Sequence, residues 1–437
     1  MKKIPTLLWC LLAASGTAFG AAAPPAPAAA VEQKVEWSIT ADHANALYQP
    51  GETATFTVKL LDGAKVPPDG ELFWRITKDG IAPTFNGTVK FTAGTGTITG
   101  KLDEPGFLQC VVSTEAGGKG QKAQWGVGYS PELLKPSLPV PDDFDAFWKR
   151  QLDKLAAVPI NPSLTPANGG KVEAFDTKLD CVGAPVSGYF ARPKGAKPKS
   201  LPAILLLHGA GVRSANLQSA NGWASNNLLA MDINAHGIPN GKDEAFYKAL
   251  IDGELKSYPM IGRGSREESY FVDMFLRAKR ALDFLCSQPE WDGKNLIVFG
   301  GSQGGFQSFA AAALDERVTM MVANIPAGCD HSAMLAKRMF GWPRLVEKDA
   351  SGKPDAAMLE ASRYVDSVNF ATRCKAKIAR VSTGFIDTVC VPTSVYVAYN
   401  QIPVKDKKIY NDLGIGHRIA PETDREIRDL VFKQSEP

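Results

Sequence analysis

The rhythm of hydrophobic and polar positions changes once along the chain. Ahead of residue 131, apolar side chains recur at every second position. Ala54, Phe56, Val58 and Leu60 alternate with Thr and Lys, and Leu72, Trp74 and Ile76 repeat the spacing farther on. A period of two is that of a half-buried strand. Turn signals at Asp62-Gly63, Asp79-Gly80 and Ala116-Gly117-Gly118 punctuate the stretch. Several short strands within about a hundred residues predict a small antiparallel sandwich of the immunoglobulin-like kind. The stretch carries no binding motif, so a spacer or packing role is expected rather than a carbohydrate-binding one.

Pro131, Pro136, Pro139 and Pro141 then interrupt regular structure, and Asp142 to Leu155 reads as an amphipathic helix. From about residue 170 strands alternate with helices. Ala203 to Leu207 is a continuous apolar run, as a strand buried on both faces requires. Phe271 to Cys286 is predicted as a helix with one apolar face, Leu296 to Phe299 as a buried strand, and Phe306 to Leu314 as a helix. Such alternation predicts a mainly parallel sheet covered by helices.

The N-terminus belongs to neither pattern. Lys2 and Lys3, the apolar run Leu7 to Ala14 and the small residues around Ala18-Phe19-Gly20 have the form of an export signal. The apolar run is shorter than the ~20 residues a membrane span needs. The expected organisation is therefore a signal peptide over 1–20, an Ala/Pro linker over 21–30, a β-sandwich-like domain over 31–130 and an α/β domain over 131–437. A secreted or periplasmic location follows, with no membrane span after signal removal.

Charge and cysteine usage narrow the chemistry. Lys and Arg number 49 against 46 Asp and Glu, which gives no reason to expect a nucleic-acid partner. The six cysteines beyond the leader form no CxxC and no cluster with zinc spacing, so mostly buried thiols and no metal are expected.

The sharpest motif is Gly300-Gly301-Ser302-Gln303-Gly304-Gly305, between the strand LIVF and the helix FQSFAAAAL. G-x-S-x-G between a strand and a helix is the nucleophile elbow of an α/β-hydrolase. The serine must sit at the tip of a tight, strained turn, so its neighbours two residues away must lack bulk. The oxyanion hole then needs the N–H of Gln303 and a second donor from an earlier loop. His208-Gly209-Ala210-Gly211 follows the first buried strand, and the Ala210 N–H is the choice there.

A serine needs a base. Of five histidines, His43 lies in the β-rich region, and His208 and His236 precede Ser302, against the Ser…Asp…His order of the fold. His417, in a Gly-rich loop before the last helix, is preferred to His331. Asp387, after a strand ending near Ile386, is the expected acid. Asp366, placed in a helix, and Asp406 and Asp412, flanking a strand, are its competitors. Since all these residues follow Pro131, a chain beginning there is expected to retain hydrolysis of small soluble esters.

Residues from about 140 to 432 resemble the acetyl xylan esterase and cephalosporin C deacetylase family. The resemblance rests on Pro141-Asp-Asp-Phe-Asp-Ala-Phe-Trp148, the elbow with its glutamine, Arg277 and its helix, Phe385-Ile-Asp-Thr-Val-Cys390, and Gly416-His417. It implies Ser302, Asp387 and His417 as a triad, Gln303 as an oxyanion donor, no cofactor, and acetylated poly- or oligosaccharides as substrates. The family places a tyrosine where this chain has Ala210, and its Asp-x-Arg-Gly segment is replaced by Asp232-Ile-Asn-Ala-His-Gly237. The preceding β-rich stretch lies outside the resemblance and leaves the homo-oligomeric state open. Rival readings are an exported peptidase of the prolyl oligopeptidase type and a non-catalytic glycan-binding protein. A hundred residues cannot build the propeller of the first, and the intact Ser, Asp and His argue against the second.

Overall fold

The structure, a computed structural model, describes residues 37–61 and 69–433. The expected export signal, the Ala/Pro linker and the Asp62-Gly63 turn lie outside the described residues.

The period-two stretch forms eight strands: β1 (Trp37–Ala41), β2 (Leu47–Tyr48), β3 (Thr53–Leu60), β4 (Gly70–Lys78), β5 (Ile81–Phe91), β6 (Thr95–Lys101), β7 (Gly106–Glu115) and β8 (Lys119–Tyr129). They make a three-stranded sheet, β1-β3-β6, and a five-stranded sheet, β2-β8-β7-β4-β5. Ala54, Phe56 and Val58 of one sheet and Leu72 and Ile76 of the other turn inward and are buried. The sheets touch closely, since a Cβ on Gly100 of β6 would meet Ile76 of β4 at 3.0 Å. Asp79-Gly80 closes the β4–β5 hairpin with both residues in the left-handed region (φ 49° and 85°), the turn that matches strand twist. One pairing departs from the expected antiparallel arrangement: β2 runs parallel to β8.

The second rhythm builds α1 (Phe144–Ala156), β9 (Ser163–Ala167), β10 (Val172–Leu179), β11 (Val186–Pro193), β12 (Leu201–Leu207), α2 (Leu217–Ala224), β13 (Leu229–Ile233), α3 (Glu244–Asp252), α4 (Tyr270–Ser287) and β14 (Trp291–Gly301). It continues with α5 (Gln303–Leu314), β15 (Met320–Asn324), α6 (Ala356–Ser362), α7 (Ser367–Ala371), β16 (Ile378–Gly384), α8 (Pro392–Asn400), β17 (Asp406–Asp412) and α9 (Pro421–Lys433). Nine strands form one sheet in the order β17-β16-β15-β14-β12-β13-β11-β10-β9. The six from β17 to β13 are parallel, and the last three form an antiparallel edge. This is the α/β-hydrolase fold preceded by a small β-sandwich. No described helix is long and apolar enough to cross a membrane.

The apolar runs are explained by what lies on each face of the sheet. Leu205, Leu207 and Val298 join a core with Phe271, Phe275, Phe306 and Phe309 of α4 and α5. Ile204, Leu206 and Ile297 join a second core with Trp223 of α2 and Ile427 and Val431 of α9. Each such buried side chain stabilises the fold by roughly 1.5–3 kcal/mol, so neither face of β12 or β14 tolerates a polar residue cheaply. The first core continues without a break into the sandwich, through Phe107 and Tyr129 to Phe56.

Candidate active site

β14 ends at Gly301 and α5 begins at Gln303, so Ser302 alone makes the turn between them. It adopts φ 55° and ψ −118°, a conformation that costs a non-glycine residue about 1–3 kcal/mol. Backbone bonds hold it there. Its N–H donates to Asn324 O at 2.9 Å, and its carbonyl accepts from the N–H groups of Phe306 and Ala327, both at 3.0 Å. The flanking glycines are needed for room: a Cβ on Gly300 would lie 2.2 Å from Gly304 O, and one on Gly304 would lie 1.8 Å from Leu207 O.

Asp387 follows the end of β16, and His417 lies in the loop between β17 and α9. The fully buried Asp387 carboxylate accepts from the N–H groups of Val389 (2.7 Å) and Cys390 (2.9 Å) through Oδ1. Its Oδ2 lies 2.8 Å from His417 Nδ1, and His417 Nε2 lies 3.0 Å from Ser302 Oγ. A carboxylate only accepts, so Nδ1 carries the proton of the neutral ring and Nε2 is free to accept from the serine. The three residues chosen from the sequence thus form one hydrogen-bonded chain.

The competitors sit elsewhere for physical reasons. His331 is 1% exposed with neither ring nitrogen partnered among the described residues, and burial pushes its pKa down to about 3. Asp366 is not inside a helix. It precedes α7 and accepts from the N–H groups of Asp330, His331 and Val368, while burial raises its pKa to about 7. Asp406 pairs with Arg380 at 2.8 Å. Asp412 is buried rather than solvated and accepts from Ala420 N–H at 3.0 Å and Thr423 Oγ1 at 2.6 Å, which fixes the entry to α9.

Gln303 opens α5, so its N–H belongs to the unpaired, positive end of a helix beside the serine. Ala210 is exposed in the loop after β12. That loop runs against Ser302, since a Cβ on Gly209 would sit 3.6 Å from Ser302 Cβ. A cavity of about 540 Å³ adjoins the elbow under the same loop. Gly209, Arg213, Asp232 and Gly301 line it, but Ser302, Asp387 and His417 do not. Burial raises the Asp232 carboxyl to about 7 even though it accepts from Asn216 N–H.

Two supports of this loop were not read from the sequence. His236 places Nε2 3.2 Å from Gly211 O and Nδ1 2.7 Å from Tyr270 Oη. Burial lowers its pKa to about 3, so the ring is neutral, donates to the carbonyl from Nε2 and accepts the phenol proton at Nδ1. Arg277 of α4 donates through Nε and Nη2 to Ala235 O at 3.1 and 2.9 Å, fixing the segment that carries His236. Tyr258, edge-on to His236, donates to Gln303 Oε1. The available signals were Arg277, which carries part of the family resemblance, and the departure Asn234-Ala-His-Gly237, whose histidine was set aside because it precedes the serine.

Five of the six described cysteines are buried, Cys286 being the intermediate one, and none is bonded to another. Burial holds the Cys390 thiol, close to Asp387 and Ser302, well above its ordinary range.

Comparison with known proteins identifies the family. The acetyl xylan esterase (AXE1) family profile matches residues 132–427. Acetyl esterase Axe7A of Xylanibacter ruminicola is 34% identical over 375 residues, covering 84% of this chain and 83% of that protein. Residues from 132 onward make up only about 70% of the chain, so that match runs into the β-rich region. Among solved structures, an acetyl xylan esterase from Paenibacillus sp. R4 superposes with a TM-score of 0.57 at 25% identity, over 69% of this chain and 97% of the other. Acetyl xylan esterase 1 from Thermoanaerobacterium sp. JW/SL YS485 superposes with a TM-score of 0.55 at 22% identity, over the same shares. On the family match and the identity to Axe7A, the chain belongs to the acetyl xylan esterase family.

Proposed function

We propose that the protein is an exported serine esterase that removes acetyl groups from carbohydrates, with Ser302 as nucleophile, His417 as general base and acid, and Asp387 as the residue that orients the imidazole. The observation that carries this reading is the continuous Ser302–His417–Asp387 hydrogen-bonded chain built on a strained elbow. Ser302 Oγ attacks the acetyl carbonyl while His417 Nε2 takes its proton. The resulting oxyanion is met by the backbone N–H groups of Gln303 and Ala210. Collapse breaks the bond to the sugar oxygen, which leaves with the proton from His417. Water, deprotonated by His417, then attacks the acetyl-serine, releases acetate and restores the enzyme.

The acetylated-carbohydrate substrate class follows the names of the relatives. Export follows the N-terminal sequence. The division into a sandwich-like domain over 31–130 and a catalytic domain over 131–437 is part of the same reading. The test is Ser302→Ala on a panel of p-nitrophenyl acetate, acetylated xylan and a peptide substrate. The wild type is expected to release acetate and spare the peptide, and the variant to lose several orders of magnitude in kcat. Wild-type turnover by a folded variant, or cleavage of the peptide alone, contradicts the reading.

A further inference from the structure

We infer that the β-sandwich is part of the acid–base side of the active site, with Trp125 and Phe107 as positioning residues for Asp387 and His417. Three sandwich strands or turns converge on the loops that carry these two residues. On β8, Gly126 lies so close to the acid loop that a Cβ there would be 2.2 Å from Phe385 O, two residues before Asp387. Its neighbour Trp125 covers the base loop: a Cβ on Gly414, three residues before His417, would be 2.7 Å from the indole. On β7, the fully buried Phe107 meets Phe385 edge-on with ring centres 4.9 Å apart, and packs 5.5 Å from Tyr396 of α8. The Asp79 turn accepts from Thr393 Oγ1 at the start of α8.

The two catalytic loops are themselves joined. Phe385 N–H donates to Asp412 O at 3.3 Å and Ile386 N–H to Ile415 O at 3.2 Å. Pressure from β8 therefore acts on a unit holding both ends of the Asp387–His417 bond. Phe385 and Tyr396 are large apolar groups at the edge of the α/β layer, and without the sandwich they would face water. Close backbone contact at Gly126 and Gly414 is short-range and directional, unlike generic burial. A displacement of about 1 Å there is large enough to cost on the order of 100-fold in rate. On this inference a chain starting at Pro131 does not suffice for full hydrolysis, against the expectation from the sequence. This inference rests on the triad reading and extends it to residues ahead of 131.

The experiment compares full-length Trp125→Ala, Trp125→Phe and Val58→Ala with the wild type on p-nitrophenyl acetate. Val58 is buried in β3 and serves as a control for lost sandwich stability alone. Below the unfolding range of every variant, Trp125→Ala is expected to lower kcat roughly 10- to 100-fold with KM within about threefold. The downfield proton resonance of the His417–Asp387 bond should broaden or shift. Trp125→Phe should recover most of the rate, and Val58→Ala should lower only the Tm. If Trp125→Ala does not fold, Gly126→Ala, which pushes on the Phe385 carbonyl and Cβ, takes its place with the same expectation. A normal kcat and an unmoved resonance in the folded variant overturn the inference while leaving the triad intact. Equal loss of kcat in Val58→Ala overturns it as well, because stability alone would then explain the effect. Failure of the triad itself would show separately, as full activity in Ser302→Ala.

Discussion

The proposed nucleophile and its two partners are held in different ways. Ser302 is fixed from within the α/β layer: one strand, one helix, three backbone hydrogen bonds and two glycines at backbone contact distance define it. Asp387 and His417 sit on loops whose far sides are covered by β7 and β8 of the sandwich. A short motif suffices where the constraint is local. Where it comes from a separate layer, the candidate residues are visible in the sequence but their support is not.

The widest test of this contrast is at the acid. Asp387→Asn keeps the size and the Val389 and Cys390 contacts but removes the carboxylate that selects the Nδ1–H tautomer, a change that can lower kcat by about 10⁴-fold. Steady-state kinetics should show that loss with a native circular dichroism spectrum. Asp412→Asn offers the contrast. Asp412 fixes the start of α9 rather than the imidazole, so its loss should cost about 1–2 kcal/mol of stability and only a few-fold in kcat. If Asp412→Asn is crippled and Asp387→Asn is nearly normal, the acid has been misassigned.

The smallest effect concerns the seam between the layers. Burial raises the Asp79 carboxyl to about 7, against the opposing pull of the Thr393 hydroxyl, Lys78 and Arg338. Its folded pKa lies above its unfolded one, so the protonated form is the one favoured in the folded state. Below about pH 4 the group is protonated in both states and imposes no penalty. The penalty grows as pH rises toward 7 and is constant above it. Asp79→Asn, which also suits the left-handed backbone at this position, should therefore match the wild type in Tm near pH 4. At pH 8 it should be more stable, by up to about 4 kcal/mol. A Tm difference that does not change with pH contradicts the assignment of a buried carboxyl with a raised pKa to this seam.

Much of the α/β layer was legible because its signals are local. The LIVF strand, the Gly-rich elbow and the amphipathic α4 each carry their own pattern, and chain order alone separated His417 from His208 and His236. Less was legible where a residue's role depends on a distant partner. Asp412 reads as a solvated flank until Thr423 and Ala420 are seen around it. His236 reads as misplaced until its bond to the Gly211 carbonyl shows that it supports the loop after β12. The parallel β2–β8 pairing joins strands about eighty residues apart, which no alternation pattern reports. Trp125 and Gly126 read as ordinary strand residues, because nothing in a period of two tells which loop will lie across them.

The central claim is that Ser302 becomes acylated with help from His417 and Asp387. The direct measurement is intact-protein and peptide mass spectrometry after brief mixing with a p-nitrophenyl acetate excess and acid quench, on the wild type and on His417→Ala. The account predicts one acetyl group on the peptide containing Ser302 in the wild type, formed with a burst of one p-nitrophenol per chain, and no burst in His417→Ala. Acetylation at another residue, or an equal burst without His417, would contradict it.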